Sequence, residues 1–142
     1  MRSRSIVACA ASLAALIGSV PLQGHHAFAA EYDRDKPITL TGAVTKLEWT
    51  NPHARIYIDA KDDKGVVTNW DFELGPPNGL MRRGWNRNSL KAGHVVTIEG
   101  FLSKTNPRGA NARSVKLPDG RQVFAGSSFD TGPGEGEAAP SK

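Results

Sequence analysis

The stretch Thr41–Asp59, TGAVTKLEWTNPHARIYID, constrains the fold more than any other. Two runs of alternating apolar and polar residues flank an Asn-Pro pair. A period of two marks half-buried strands rather than a helix. Proline has no amide proton for a central ladder, so Asn51-Pro52 ends the first strand. In that strand Ile38, Leu40, Gly42 and Val44 keep phase, but the next large apolar residues are Leu47 and Trp49. One extra residue near Thr45-Lys46, a β-bulge, accounts for the slip. In the second strand Ile56, Ile58 and Ala60 face one way, and Arg55, Tyr57 and Asp59 the other. The corner carrying Trp49, Asn51, Pro52 and His53 is the best candidate for a binding surface.

The remaining punctuation extends this pattern. Asp62-Asp63-Lys64-Gly65 is a turn, and Val66–Leu74 reads as a third strand. On it Asn69, Asp71 and Glu73 lie opposite Trp70, Phe72 and Leu74. Pro77–Arg83 reads as a short helix, because proline suits a helix start, and Gly84 ends it. Strands at His94–Ser103, Ala112–Leu117 and Gln122–Ala125 follow, the first two separated by the loop Thr105–Gly109. The fold class expected is mainly β: a small five- to six-stranded OB-like barrel with one short helix between strands three and four. An open antiparallel sheet or a small sandwich is the alternative. At 142 residues the chain has room for one such domain.

The ends have a different character. Arg2 and Arg4 precede the uncharged apolar run Ile6–Val20, Pro21 breaks it, and small residues follow. This is the layout of a secretory signal, and the run is too short and alanine-rich for a membrane span. The expected division is a signal peptide at 1–24 with cleavage as late as 29, an extended segment at 25–37, the barrel at 38–125, and a disordered tail at 126–142. Periplasmic or secreted localisation follows, with no membrane span after cleavage. The single cysteine, Cys9, falls inside the signal, so the mature chain has neither disulfide nor thiol chemistry. Removing Arg2 and Arg4 leaves 16 basic residues against 14 acidic, a balance of +2. That charge gives no case for a nucleic-acid partner.

In an OB-like barrel the loops between strands one and two and between strands four and five border one face. Here both loops are Asn-Pro turns. The candidate ligand-binding residues are therefore Trp49, Asn51, His53, Arg55, Tyr57, Glu73, Asn106, Arg108 and Arg113. Each has a plainer role as well: Asn-Pro turns stop strands, and large rings fill small cores. An aromatic, a guanidinium, amides and carboxylates suit a small polar ligand or a metal better than a phosphate backbone. An envelope component bound by a structural domain is a further alternative. The sequence contains no G-x-S-x-G, P-loop, Rossmann glycine pattern or H-E-x-x-H, so binding is expected rather than catalysis.

A metal reading stands beside this one. Cleavage after Gly24 would leave His25 as the first residue, followed by His26. The free amine and imidazole of His25, with His26 or His53, offer nitrogen ligands suited to copper, or to zinc. Cleavage after Ala29, in the small-x-small stretch Ala27-Phe28-Ala29, would remove both histidines.

The segments HHAFAAEYD (His25 to Asp33), TGAVTKLEWTNPHARIYID, NWDFELGPPNGLMRRGW (Asn69 to Trp85), SLKAGHVVTIEG (Ser89 to Gly100) and NARSVKLPDGRQVFAGSS (Asn111 to Ser128) occur in that order. Together they resemble the small secreted bacterial proteins grouped as domain of unknown function 6152. The resemblance spans nearly everything after the signal. It implies a secreted or periplasmic β-rich domain with no established activity, and it favours cleavage before His25. In that family an alanine commonly precedes the His pair, serine follows it, and an aromatic follows Asn-Pro-His-Ala. Gly24, Ala27 and Arg55 hold those places here.

Overall fold

The computed structural model describes residues 28–126. Residues 28–31 are helical. Six strands follow, β1 (Tyr32–Glu48), β2 (Arg55–Lys61), β3 (Val67–Glu73), β4 (Val95–Ser103), β5 (Gly109–Lys116) and β6 (Gln122–Phe124), with a short helix, Pro77–Met81, between β3 and β4. The domain is mainly β, in the expected element order.

Strand β1 pairs antiparallel with both β2 and β4, β2 with β3, and β4 with β5. Strands β3 and β5 pair in parallel through Asp71 and Gly109, Phe72 and Ala110, and Glu73 and Asn111. That pairing closes a ring of hydrogen-bonded strands in the order β1-β2-β3-β5-β4, and β6 adds to β5 outside it. The bulge falls where the phase slip placed it: the β1–β2 register shifts between Val44 and Lys46.

Two close approaches let the ring bend. A Cβ at Gly42 would overlap the carbonyl oxygen of Asp59, and one at Gly100 the carbonyl oxygen of Asn111. Glycine inside a strand commonly marks such an approach. The alternating inward residues fill the ring: Val44, Ile56, Ile58, Phe72, Leu74, Val96, Ile98 and Val115 are fully buried. Leu80 of the short helix joins the same core, as do Trp85 and Leu90. The Trp85 indole Nε1 donates to the Phe124 carbonyl at 3.0 Å, so its polar edge is satisfied where its ring is buried.

The stretch 32–37, within the segment 25–37 expected as extended, belongs to β1 instead. Tyr32 is opposite Ser103 and Pro37 opposite Phe101. Its side chains are polar because most of them face solvent, while its backbone continues the ladder to β4. Phe28 anchors its start: its ring lies 5.3 Å from Tyr32 and 6.3 Å from Phe101, and Phe28 and Tyr32 are both buried. The segment 1–24 expected as a signal peptide, His25, His26 and the tail beyond Gly126 lie outside the described residues.

Candidate functional site

Both Asn-Pro turns are tied to the last half of β3. The first is held there by the Ala54 amide, which donates to the Gly75 carbonyl, and by the Leu74 amide, which donates to the Ala54 carbonyl. Its Asn51–Pro52 peptide bond is cis. The second is held by the Asp71 amide, which donates to the Arg108 carbonyl at 3.0 Å. Beside the second turn, next to the start of β1, is a cleft of about 340 Å³. Arg55, Asp71 and Glu73 form part of its wall, Glu31 and Tyr32 another part, and the β4–β5 connection the rest, through Ser103, Thr105, Asn106 and Gly109.

The centre of this wall is a charge network set by hairpin register. Arg55 is directly opposite Glu73 across β2–β3, and Tyr57 is opposite Asp71. The Arg55 guanidinium donates Nη1 to Asp71 Oδ2 at 2.7 Å and Nη2 to Glu73 Oε2 at 2.8 Å. His53 Nδ1 lies 2.8 Å from Glu73 Oε1. The Tyr32 phenol also hydrogen-bonds Glu73. With three partners for its carboxylate, Glu73 is only 8% exposed although its strand face is the polar one. A charge can be buried this far when its lone pairs are met by donors.

These contacts shift the neighbouring groups. Burial, then the Glu73 charge and hydrogen bond, push the Tyr32 phenol far above its ordinary value. Burial, the Asp71 charge and the Glu48 hydrogen bond push Tyr57 up as well. Arg55 is also raised: burial pulls it down, but its hydrogen bond to Asp71 and the charges of Asp71 and Glu73 outweigh that. Asp71 Oδ1 is buried with no hydrogen-bond partner among the described residues. Such an acceptor in a polar cleft has an unmet need for a donor.

Of the candidates read from the sequence, Arg55, Glu73 and Asn106 line the cleft, and His53 reaches it through Glu73. Tyr57 is directed to Glu48, with its hydroxyl 3.1 Å from Oε2 and Lys46 over its ring. Trp49 packs against the core. Asn51 and Arg108 are exposed in their turns, and Arg108 takes part through its backbone carbonyl. Arg113 lies farther along β5, where its carbonyl accepts from the Ala125 and Gly126 amides beside β6. Thr105 and Gly109 of the expected rim loop line the cleft too, and Glu31, Tyr32, Asp71, Ser103 and Ala110, which were not among the candidates, complete it. For Tyr32 the available signal was an aromatic ring isolated in a polar run. For Asp71 it was its position two residues before Glu73 on the same strand face. Among the described residues no three His, Asp or Glu side chains converge to hold a metal ion.

A small mainly-β domain with an acidic, internally braced cleft beside the closure of its strand ring is the class these features define. The chain belongs to the family of unknown function DUF6152, whose model matches residues 13–112. No curated protein matches it. Among solved structures, one described as the crystal structure of a TiaS–tRNA–ATP complex aligns at 21% identity and a TM-score of 0.43. That alignment covers 61% of this chain and 19% of the other.

Proposed function

We propose that the chain is an exported, non-enzymatic binding module that holds a small polar ligand in the cleft beside the Thr105–Gly109 turn. The observation that carries this reading is the Arg55–Asp71–Glu73–His53–Tyr32 network. It fixes a polar wall where the start of β1, the end of β3 and the β4–β5 connection meet, and His53 ties the first turn to it. A cleft of about 340 Å³ is within the size range of small-molecule sites. Arg55, Glu73 and His53 are held by one another, an arrangement that orients a ligand without offering it a nucleophile. Gly109 supports the reading too. A Cβ there would sit 2.6 Å from Asn106 Nδ2, so glycine lets the Asn106 side chain lie against the loop where it lines the cleft.

The test is native mass spectrometry of the protein recovered from the periplasm of its own host. The expected result is a non-covalent small-molecule increment that disappears on denaturation and is missing from a Gly109→Ala variant. A bare mass, unchanged after incubation with periplasmic extract, would sink the reading.

A second reading, periplasmic copper or zinc binding through His25, His26 and His53, is favoured by one observation. Glu73 accepts from His53 Nδ1 and so leaves Nε2 as the available nitrogen. A carboxylate behind an imidazole is the usual support of a metal-binding histidine. The same mass measurement separates the two: a chain beginning at His25 with a copper-sized increment favours the metal. Unchanged copper affinity in a His25→Ala variant, measured by calorimetric titration, excludes it.

A further inference from the structure

We propose that the cleft selects an organic cation, a ligand presenting a primary ammonium or guanidinium group, and rejects anions. This inference rests on the cleft being a binding site and names the chemistry it would accept.

The lining carries three carboxylates, Glu31, Asp71 and Glu73, and one cation, Arg55. Two of the five N–H groups of Arg55 are already on Asp71 Oδ2 and Glu73 Oε2, so its charge is offset by the carboxylates that flank it. A phosphate or carboxylate would therefore lose its hydration beside a net negative wall whose one guanidinium is already offset by two carboxylates. Tyr32 adds no positive charge and stays a neutral phenol, with its hydroxyl engaged by Glu73.

The wall also holds an unmet acceptor. Asp71 Oδ1 is a buried carboxylate oxygen without a partner among the described residues. On the rim, Ser103 Oγ accepts from the Thr105 and Asn106 amides, and Asn106 Oδ1 from the Arg108 amide. An ammonium or guanidinium supplies several N–H donors and a compensating charge together. A bare divalent ion fits less well, because the described carboxylates and histidines do not converge as a ligand set.

The test is titration of the isotopically labelled protein, read by the amide shifts of Asp71, Glu73, Asn106 and Gly109. The four probes are 1,4-diaminobutane, L-argininamide, inorganic phosphate and glucose. The two cations are expected to move these amides saturably, with affinity that falls as sodium chloride is raised. Asp71→Asn keeps the shape of the side chain and removes its charge, and is expected to weaken cation binding at least about tenfold. Glu31 is exposed and outside the braced network, so Glu31→Gln leaves the fold intact and is expected to weaken binding about two- to fivefold. Saturable binding of phosphate or glucose in place of the cations overturns the ligand class while leaving the cleft as a site. Silence of the cleft amides toward all four probes overturns both. Cation binding unchanged in both variants overturns the assignment to these carboxylates.

Discussion

At the scale of single residues, the site shows how strand register turns ordinary side chains into a fixed network. Arg55 and Glu73 are cross-strand partners, and Asp71 is two residues from Glu73 on the same face. Alternation in the sequence was sufficient to place all three on one side of the hairpin. It could not show that Glu73 would also receive His53 and Tyr32, because His53 lies in the turn outside the strand alternation and Tyr32 in a segment far away in sequence. Tyr32 yields a pH prediction. Its folded value is raised above the ordinary 10.0, first by burial and then by Glu73. The protonated phenol is therefore favoured in the fold, and its contribution is fully present below about pH 10 and lost as the pH rises beyond it. The urea midpoint should hold between about pH 8 and 9 and then fall, with a slope approaching about 1.4 kcal/mol per pH unit from this group. Tyr32→Phe should cost about 1 kcal/mol at neutral pH through its lost hydrogen bond, and its alkaline decline should be shallower. An equally steep decline in the variant would show that Tyr32 is not its source.

At the scale of elements, the strands that were legible are those whose inward residues alternate. The hairpin of β1 and β2, its bulge and the short helix all carry local signals of phase, turn or proline. The opening third of β1 was not legible, because its pairing with β4 is made by backbone while most of its side chains face solvent. Its anchor, Phe28, lies inside a small-residue stretch that also resembles a cleavage site. The packing makes a prediction about that end. A chain beginning at Ala30 loses the Phe28 ring and the Ala29 carbonyl that accepts from Lys104 Nζ. Compared with a chain beginning at His25, it should be less stable by about 1.5–3 kcal/mol, the value of one buried phenylalanine. Chemical denaturation of the two purified forms measures this. Gly100 gives a sharper expectation. Its added Cβ would collide with backbone, which cannot rotate away as a side chain can. Gly100→Ala should destabilise by about 3 kcal/mol or fail to fold, whereas alanine at Gly79, whose nearest neighbour would be Pro76 Cγ at 3.6 Å, meets only ordinary contact.

At the scale of the whole molecule, fold and site meet at the seam where the ring closes. The parallel β3–β5 pairing has no local sequence signal: nothing in Asn69–Glu73 or Gly109–Asn111 announces the other. It involves three residue pairs, fewer than any of the pairings that β1 makes. Asp71, Glu73, Gly109 and Ala110 belong both to this seam and to the cleft. Opening of the seam and opening of the cleft are therefore one event. Local opening is governed by the stability of the unit that opens, so short pairings exchange their amides before the long ladders do. Hydrogen–deuterium exchange should find the Asp71 amide, which donates to Arg108, less protected than the amides of Val44 and Ile98 in the closed core. A ligand that binds the closed cleft at about 100 times its dissociation constant should slow that exchange by roughly a hundredfold, because binding to one state stabilises it by mass action. The β1–β2 amides, which open with the whole domain, should slow only when exchange there is limited by global unfolding. A ligand that leaves the Asp71 amide unprotected while binding elsewhere would separate the cleft from the seam and refute their coupling.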